Sequence, residues 1–563
     1  MKLKLIALLC CIVTIPVTAA NHFSKDIYLD LMQDAFEAYS DERLEDYIAR
    51  VEEKGITEHG YGRVTANLGI LIAHGRLTEK KDLFVRMMDI AAREFPIAHI
   101  RKGSRSGIGH DFSVKEICCC IVEVEKAGIL PRGKTDEWRR SLEWMKAEEI
   151  YSVQPELGID HASNWAVFGC ASECARLMSG IGGSRAYADR YLTDQLRWFD
   201  INGMYIDPNA PMVYDYVTRL QFMAALNFGY DGPAREEIER NLLKSAIPSI
   251  LMQSASGEMP YGGRSNQFLH NETVIAAVFE YYASWFKAMG DIATASRFKA
   301  AAARAAESIL YWTAQKPVRH IKNRYPTETS YGCEGYAYFD KYMITMASWA
   351  YLAYRFADDT IPVAAKAERA STFVTGPEFH RCVMNAGGYT VQFDLNAQKE
   401  YDSSGLGRFQ KKGASPVVAL ASPCSTEKPN FKLDIENDGP LAISPLWDKF
   451  EVIKAKPGVV VLSDGNAFWK NRLSRRGLKM ILKGKDKVSM TLPAFAFDGE
   501  SESVIKCDGK TLTVAFKGSI CTWTTNGRIV DSGKIYGNRN GHLRRFNVEG
   551  SRRLVIHGRI SNE

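Results

Sequence analysis

His161 and Asn164, in the stretch GIDHASNWAVFGCASECARLMSG (158–180), stand at the start of an otherwise apolar helical pattern. Tyr214, Tyr216 and Arg219 follow about fifty residues later in MVYDYVTRLQF. An amide, an imidazole and a guanidinium can each hydrogen-bond or neutralise an anion. A phenol or imidazole beside such positive charge can exchange a proton. The combination suits proton transfer next to an anionic group. The competing account is that His161 and Asn164 only cap and pack a helix, with Trp165 either packing beneath them or forming a platform.

Four more stretches have the same character: EHGYGR, GIGHDFS, FLHNET and YGCEGYAYFDKY. They bring His59, Tyr61 and Arg63, then His110 with Asp111, then His270, Asn271 and Glu272, then Tyr331, Glu334, Tyr336 and Tyr338. The segment GEMPYGGRSNQ, just ahead of FLHNET, adds Tyr261, Arg264, Asn266 and Gln267, with Gly262 and Gly263 allowing close backbone approach. Each stretch also has a plain reading. Asp111 and Asn271 would serve as caps, and alternating tyrosines as packing. His74, His99, His320, His542 and His557 lack such a setting and are read as structural or surface residues.

These stretches need elements to hold them. From residue 25 to about 358, apolar residues recur three and four apart, the helical period. Gly75, Gly128, Gly180, Gly229 and Gly290 close helices at intervals near fifty residues. Each interval holds about two helices, and a lone hairpin cannot bury its own apolar face, so stacked hairpins are expected. If one helix of each hairpin lies in an inner ring, six polar starts open at one end, where helix N-termini add partial positive charge.

Beyond residue 365 the pattern turns to alternation, as in VVVLSDG, VSMTLPAFAF and TLTVAF, with CDGK and TNGR as hairpin signals. The expected fold is an (α/α) toroid over 21–365 followed by an antiparallel β-sandwich or β-sheet domain over 366–563. YDSSGLGRFQKKG (401–413) reads as a glycine-rich loop, with Arg408, Lys411 and Lys412 able to reach over the ring.

The first twenty residues have a basic start, an apolar run and small residues at VTAA, the pattern of a cleaved export signal. Export to a periplasm or the medium is expected, without a membrane span. Net charge is +6, and +4 once Lys2 and Lys4 are removed. That is too little for a nucleic-acid footprint on this length, yet compatible with a locally basic site for an acidic sugar. The cysteines fall in no disulfide spacing. Cys118, Cys119 and Cys120, and Cys170 with Cys174, read as buried small hydrophobes.

A helical toroid, a β-domain and a His/Asn/Tyr/Arg crater together resemble the toroidal polysaccharide lyases of heparinase II-like and alginate lyase type. In that group an Asn or His at one inner helix start is followed, a little over fifty residues later, by a catalytic Tyr. Asn164 with Tyr214, and His161 with Tyr216, match that spacing. Within the group the chain is most similar to polysaccharide lyase family 27, the L-rhamnosyl-α-1,4-D-glucuronate lyases of arabinogalactan breakdown. The resemblance implies β-elimination at a uronate: a base takes the C5 proton while donors stabilise the carboxylate as it becomes an enolate. The catalytic candidates are then Tyr214, Asn164, His161 and Arg219. Tyr214 ranks ahead of Tyr216 as base. Candidate substrate-binding residues are His110, Asp111, Tyr216, Tyr261, Arg264, His270, Glu272, Tyr331, Tyr336, Tyr338 and Arg408. In glucuronate, H5 and O4 share a face, so one tyrosine can serve as base and then acid. The partner is an acidic plant glycan. No cofactor is required by default, and a divalent ion such as calcium stays open, as does oligomeric state.

Two other classes remain. A glycoside hydrolase on the same toroid needs two carboxylates flanking the scissile bond. Asp111, Asp215, Glu272 and Glu334 all occur at helix starts. A non-catalytic glycan-binding protein needs aromatic platforms but no gathering of titratable groups.

Overall fold

A computed structural model describes residues 23–104, 107–153, 161–364, 369–419, 430 and 442–562. The segment read as an export signal lies outside the described residues. Among those described, no helix is long and apolar enough to cross a membrane.

Six helices form a closed ring: Gly60–Ala73, His110–Ala127, Asn164–Met178, Met212–Asn227, His270–Ala288 and Phe339–Phe356. Each packs on the next, and the last packs back on the first. Outer helices, among them Lys81–Glu94, Arg185–Gln195, Arg235–Met252 and Ile292–Thr313, lie against the ring. This is an (α/α) toroid. The ring helices are those whose polar starts stand out in the sequence.

The difference between inner and outer helices follows from what surrounds them. Asp41–Lys54 buries one stripe, Leu44, Tyr47, Ile48 and Val51, and leaves its other face wet. Gly60–Ala73 is buried at every residue from Gly60 to Ile72, because neighbours press on all sides. Such packing needs small residues where helices meet. A Cβ on Gly69 would come within 2.3 Å of Phe84 and 2.5 Å of Cys120 Sγ, so neither could stay in place. Cys118, Cys119 and Cys120 are buried in the second ring helix, and Cys170 and Cys174 in the third. Each large apolar side chain removed from water this way contributes about 2 kcal/mol.

Among the described residues the strands build three antiparallel sheets. A four-stranded sheet contains Ser371–Val374, Arg381–Ala386, Tyr389–Asp394 and Gly405–Lys411 in order. It lies on the helical part: Thr390 Oγ1 accepts from the Ala255 N–H at 2.7 Å, and Gln392 Oε1 from the Tyr261 N–H at 3.1 Å. An eight-stranded sheet backs it, with Phe393 edge-on to Trp469 at 5.4 Å. The core is continuous from ring to sheets.

The expectation of a loop at 401–413 is corrected here. Gly405–Lys411 is a strand paired with Tyr389–Asp394. Covered on both faces, it has no wet side to show alternation, and its polar residues are buried. Arg408 therefore does not reach over the ring. It is fully buried and ion-paired with Glu258 at 3.2 Å.

Candidate active site

The ring's helix starts touch one another in turn, which places them at one end. His59 meets Phe112 at 5.2 Å between ring centroids, and Phe112 meets Trp165 at 5.0 Å. Trp165 thus packs on the second start. Asn164 opens the third helix, which Ser163 caps through the Ala166 N–H. Its Nδ2 donates to Asp207 Oδ1 at 2.9 Å, and the other Asp207 oxygen pairs with Arg264. The Arg264 guanidinium lies over the Tyr214 ring, 4.5 Å from its centroid. Asn164, Tyr214 and Arg264 are thereby brought together through Asp207.

Past Tyr214 the contacts converge on Ser265. Its Oγ is 3.2 Å from the Tyr214 hydroxyl, 3.1 Å from that of Tyr336 and 3.0 Å from that of Tyr342. Ser265 is held in the left-handed region, φ +58°, where a side-chain-bearing residue is strained. Two anchors keep it there. Its N–H donates to Glu334 Oε1 at 2.6 Å, and its carbonyl accepts from Asn271 Nδ2 at 3.1 Å. Arg539 grips Glu334 with bonds of 2.6 and 2.9 Å. Gly262, just upstream at φ +134°, leaves room for Arg381, whose Nη2 would lie 1.9 Å from an added Cβ.

Burial raises the Tyr214 pKa, while the Arg264 charge and the Ser265 hydrogen bond oppose the rise. Burial also raises Asp207, against Arg264 and Asn164. His270 opens the fifth helix and packs on Tyr342 at 4.7 Å and Trp349 at 5.1 Å. Desolvation, then the charge of Arg63, push its pKa well down, so its imidazole is neutral.

Several sequence candidates sit elsewhere. His161 is exposed, its backbone carbonyl 3.4 Å from Gln195 Nε2. Arg219 is fully buried in an ion pair with Asp215 at 2.6 Å, its Nη1 donating to Ser249 on an outer helix at 2.9 Å. Tyr216 also points outward, donating to the Ser249 carbonyl at 3.3 Å. The segment is helical from Met212, so Tyr216 lies about 200° around the helix from Tyr214, whereas an extended segment would have put both on one face.

His110 is buried, bonded to the Phe95 carbonyl at 2.9 Å. Asp111 does not pair with it and accepts from Ser152 Oγ at 2.9 Å. Tyr261 is buried beneath the guanidinium groups of Arg381 and Arg408. Glu272 is buried against Lys322 at 2.8 Å. Tyr331 donates to the Gly541 carbonyl at 3.0 Å inside the domain junction. Tyr338 is 58% exposed, beside Lys341.

Asp207, Ser265, Tyr342 and Arg539 escaped the sequence reading. Asp207 precedes Asn209 and Ala210, both at positive φ. The flanking prolines of DPNAP signal a forced turn there. Arg539 lies in the β-domain, and nothing local marks it. Among the described residues, no three His, Cys, Asp or Glu side chains converge as a metal site would require.

No family model matches the chain, and no curated protein matches it. Solved structures do. A heparan sulfate lyase mutant from Pedobacter heparinus is similar over 89% of this chain and 76% of its own, at 12% identity and a TM-score of 0.47. A heparinase III is similar over 96% and 94%, at 9% identity and a TM-score of 0.43. A glycosyl hydrolase of family 88 from Bacteroides vulgatus is similar over 59% of this chain and all of its own, at 14% identity and a TM-score of 0.36.

Proposed function

We propose that the protein is a polysaccharide lyase that cleaves a uronate-containing glycan by β-elimination, with Tyr214 exchanging the protons. One observation carries the reading. Tyr214 is half-buried at the ring mouth, its hydroxyl hydrogen-bonded to Ser265 and the Arg264 guanidinium over its ring. A phenolate formed there has a hydroxyl donor and a cation in place before substrate arrives, the preorganisation that proton abstraction from carbon needs.

The steps follow from the donors present. Arg264 spends N–H groups on Asp207 and on the Pro208 carbonyl at 2.5 Å, and retains others of its five. Those, with the second amide hydrogen of Asn164, receive the substrate carboxylate and its enolate form. Tyr214 takes the C5 proton. The electron pair left on C5 forms the C4–C5 double bond as the C4–O4 bond breaks. Tyr214 returns its proton to O4 on the same face, a syn elimination.

Hydrolysis is less well supported, because the carboxylates it would use are occupied. Asp111 is tied to Ser152, Asp215 to Arg219, Glu272 to Lys322 and Glu334 to Arg539, all four buried. Two acids flanking a glycosidic bond need one free to donate and one facing water or the sugar.

In its narrowest form the reading has L-rhamnose leaving from α-1,4-linked D-glucuronate of arabinogalactan side chains. Rhamnose-capped glucuronide oligosaccharides test both levels. Far-ultraviolet absorbance of a 4,5-unsaturated product, abolished by Tyr214→Phe, supports elimination by this tyrosine. Saturated glucuronic acid as product replaces the reading with hydrolysis. Turnover of other uronides alone corrects the substrate and keeps the class.

A further inference from the structure

The outer face of the eight-stranded sheet carries an uncompensated basic array. Its last four strands are, in spatial order, Gly477–Lys483, Phe468–Ser474, Val459–Ser463 and the edge Glu451–Lys456. The inward residues Leu478, Met480, Leu482, Trp469, Asn471 and Leu473 are buried. Alternation then turns Lys454, Lys456, Lys470, Arg472, Lys479 and Lys483 outward. All six are exposed or half-exposed, and none forms an ion pair among the described residues. Arg553 and Arg559 extend the array on the adjoining strand. Glu451, at the sheet edge, is the acid that pairing puts on this face.

Two bland explanations fall short. Lysines on an edge strand deter edge-to-edge aggregation, which covers Lys454 and Lys456. Lys470, Arg472, Lys479 and Lys483 lie on the third and fourth strands in, where no edge needs protection. A merely solvated face would mix signs, yet Arg472 stands directly opposite Lys479, a like-charge cross-strand pair that costs stability. Repulsion from Arg472, and next from Lys456 and Lys454, lowers the Lys470 pKa. The fold bears this repulsion without internal relief.

We infer that this face binds an acidic polysaccharide, holding a polymer of repeated carboxylates or sulfates across several strands. Charge complementarity argues for a polyanion. The half-exposed Val459, Val461 and Ile481 between the cations offer apolar ground for the faces of sugar rings. This surface is separate from the ring mouth and would serve to retain a long chain, whatever reaction occurs there.

The test is binding of the full chain to immobilised polygalacturonate, with dextran as the neutral comparator, at low and high salt. Replacing Lys454, Lys456, Lys470 and Arg472 together by Gln should weaken binding at low salt by about tenfold or more. Exchanging Lys for Arg and Arg for Lys at the same four positions should keep it. Replacing the exposed Lys54, Lys126, Lys146 and Lys316 of the helical part by Gln removes equal charge and should leave binding within about twofold. Turnover of a short uronide should be unchanged in all variants, which separates this inference from the elimination reading. Equal loss in the helical-part variant, or retention in the Gln variant, overturns the proposal. Tighter binding of the native chain to duplex DNA or anionic vesicles than to polygalacturonate overturns the choice of partner.

Discussion

Ser265 Oγ lies 3.2 Å from the Tyr214 hydroxyl, and its two other hydroxyl neighbours, Tyr336 and Tyr342, are at 3.1 and 3.0 Å. A serine hydroxyl donates once and accepts twice. Three neighbours use that capacity fully when two phenols donate to Ser265 and the third accepts from it. The third place suits a phenolate, and Tyr214 is the tyrosine with Arg264 over its ring.

Removing the Ser265 donor should therefore raise the pKa of Tyr214 and shift the rising limb of the pH–rate profile to more alkaline pH. A hydrogen bond to a charged group is worth about 1.5–3 kcal/mol, so the shift should be about one to two pH units. Ser265→Gly is the cleaner variant, since glycine accepts φ +58° without strain. An unmoved profile in Ser265→Gly would show that the serine only packs.

Arg264 and Asn164 share Asp207, which is wholly buried. Arg264→Gln should lower kcat/KM on a uronide by about a hundredfold through loss of charge at the developing enolate. Asp207→Ala should do similar damage without touching substrate, because both donors lose the acceptor that orients them. Steady-state kinetics on one defined oligosaccharide checks both. Normal kcat/KM in Arg264→Gln would remove the guanidinium from the mechanism.

The ring was legible because each inner helix couples a polar start to an apolar body, and glycine often ends it. That signal is local, and it located Asn164, Tyr214, Arg264, His270 and Tyr336 at one mouth. It could not sort residues a turn apart. Tyr214 and Arg219 share a polar helix start, yet five residues rotate the second to another face, toward Ser249. Nor could it find Asp207 or Arg539, whose partners are 43 and 205 residues away along the chain. The strand Gly405–Lys411 was hidden for a different reason, since burial on both faces erases the period of two.

Arg219 is thus a stability residue, and its variant has a distinct signature. Arg219 and Asp215 are fully buried and bonded through 2.8 and 2.6 Å contacts. Arg219→Ala strands the Asp215 carboxylate, which should cost about 3–5 kcal/mol in urea unfolding. Turnover per folded molecule should stay within about twofold of the parent. A selective fall in kcat with unaltered stability would return Arg219 to the site.

Acid should loosen the fold through buried histidines, of which His110 and His320 have the plainest geometry. His110 Nε2 donates to the Phe95 carbonyl at 2.9 Å and His320 Nε2 to the Ala337 carbonyl at 3.2 Å. In both, Nδ1 is buried without a hydrogen-bond partner, so a second proton has no acceptor. Desolvation accordingly pushes each pKa from 6.5 down to about 4. The unfolded chain takes up these protons first. Stability is therefore complete above pH 6.5 and is lost as pH falls toward about 4, by about 3 kcal/mol for each histidine. Urea midpoints measured from neutral pH downward should fall through this window, ahead of most carboxylate protonation. Replacing His110 by Gln, which keeps an N–H for the Phe95 carbonyl and cannot titrate, should remove one histidine's share of that decline and leave the rest to His320 and the other desolvated histidines, His59, His270 and His380. A midpoint that holds steady down to about pH 5 in the parent would mean that neither histidine resists protonation in the folded state.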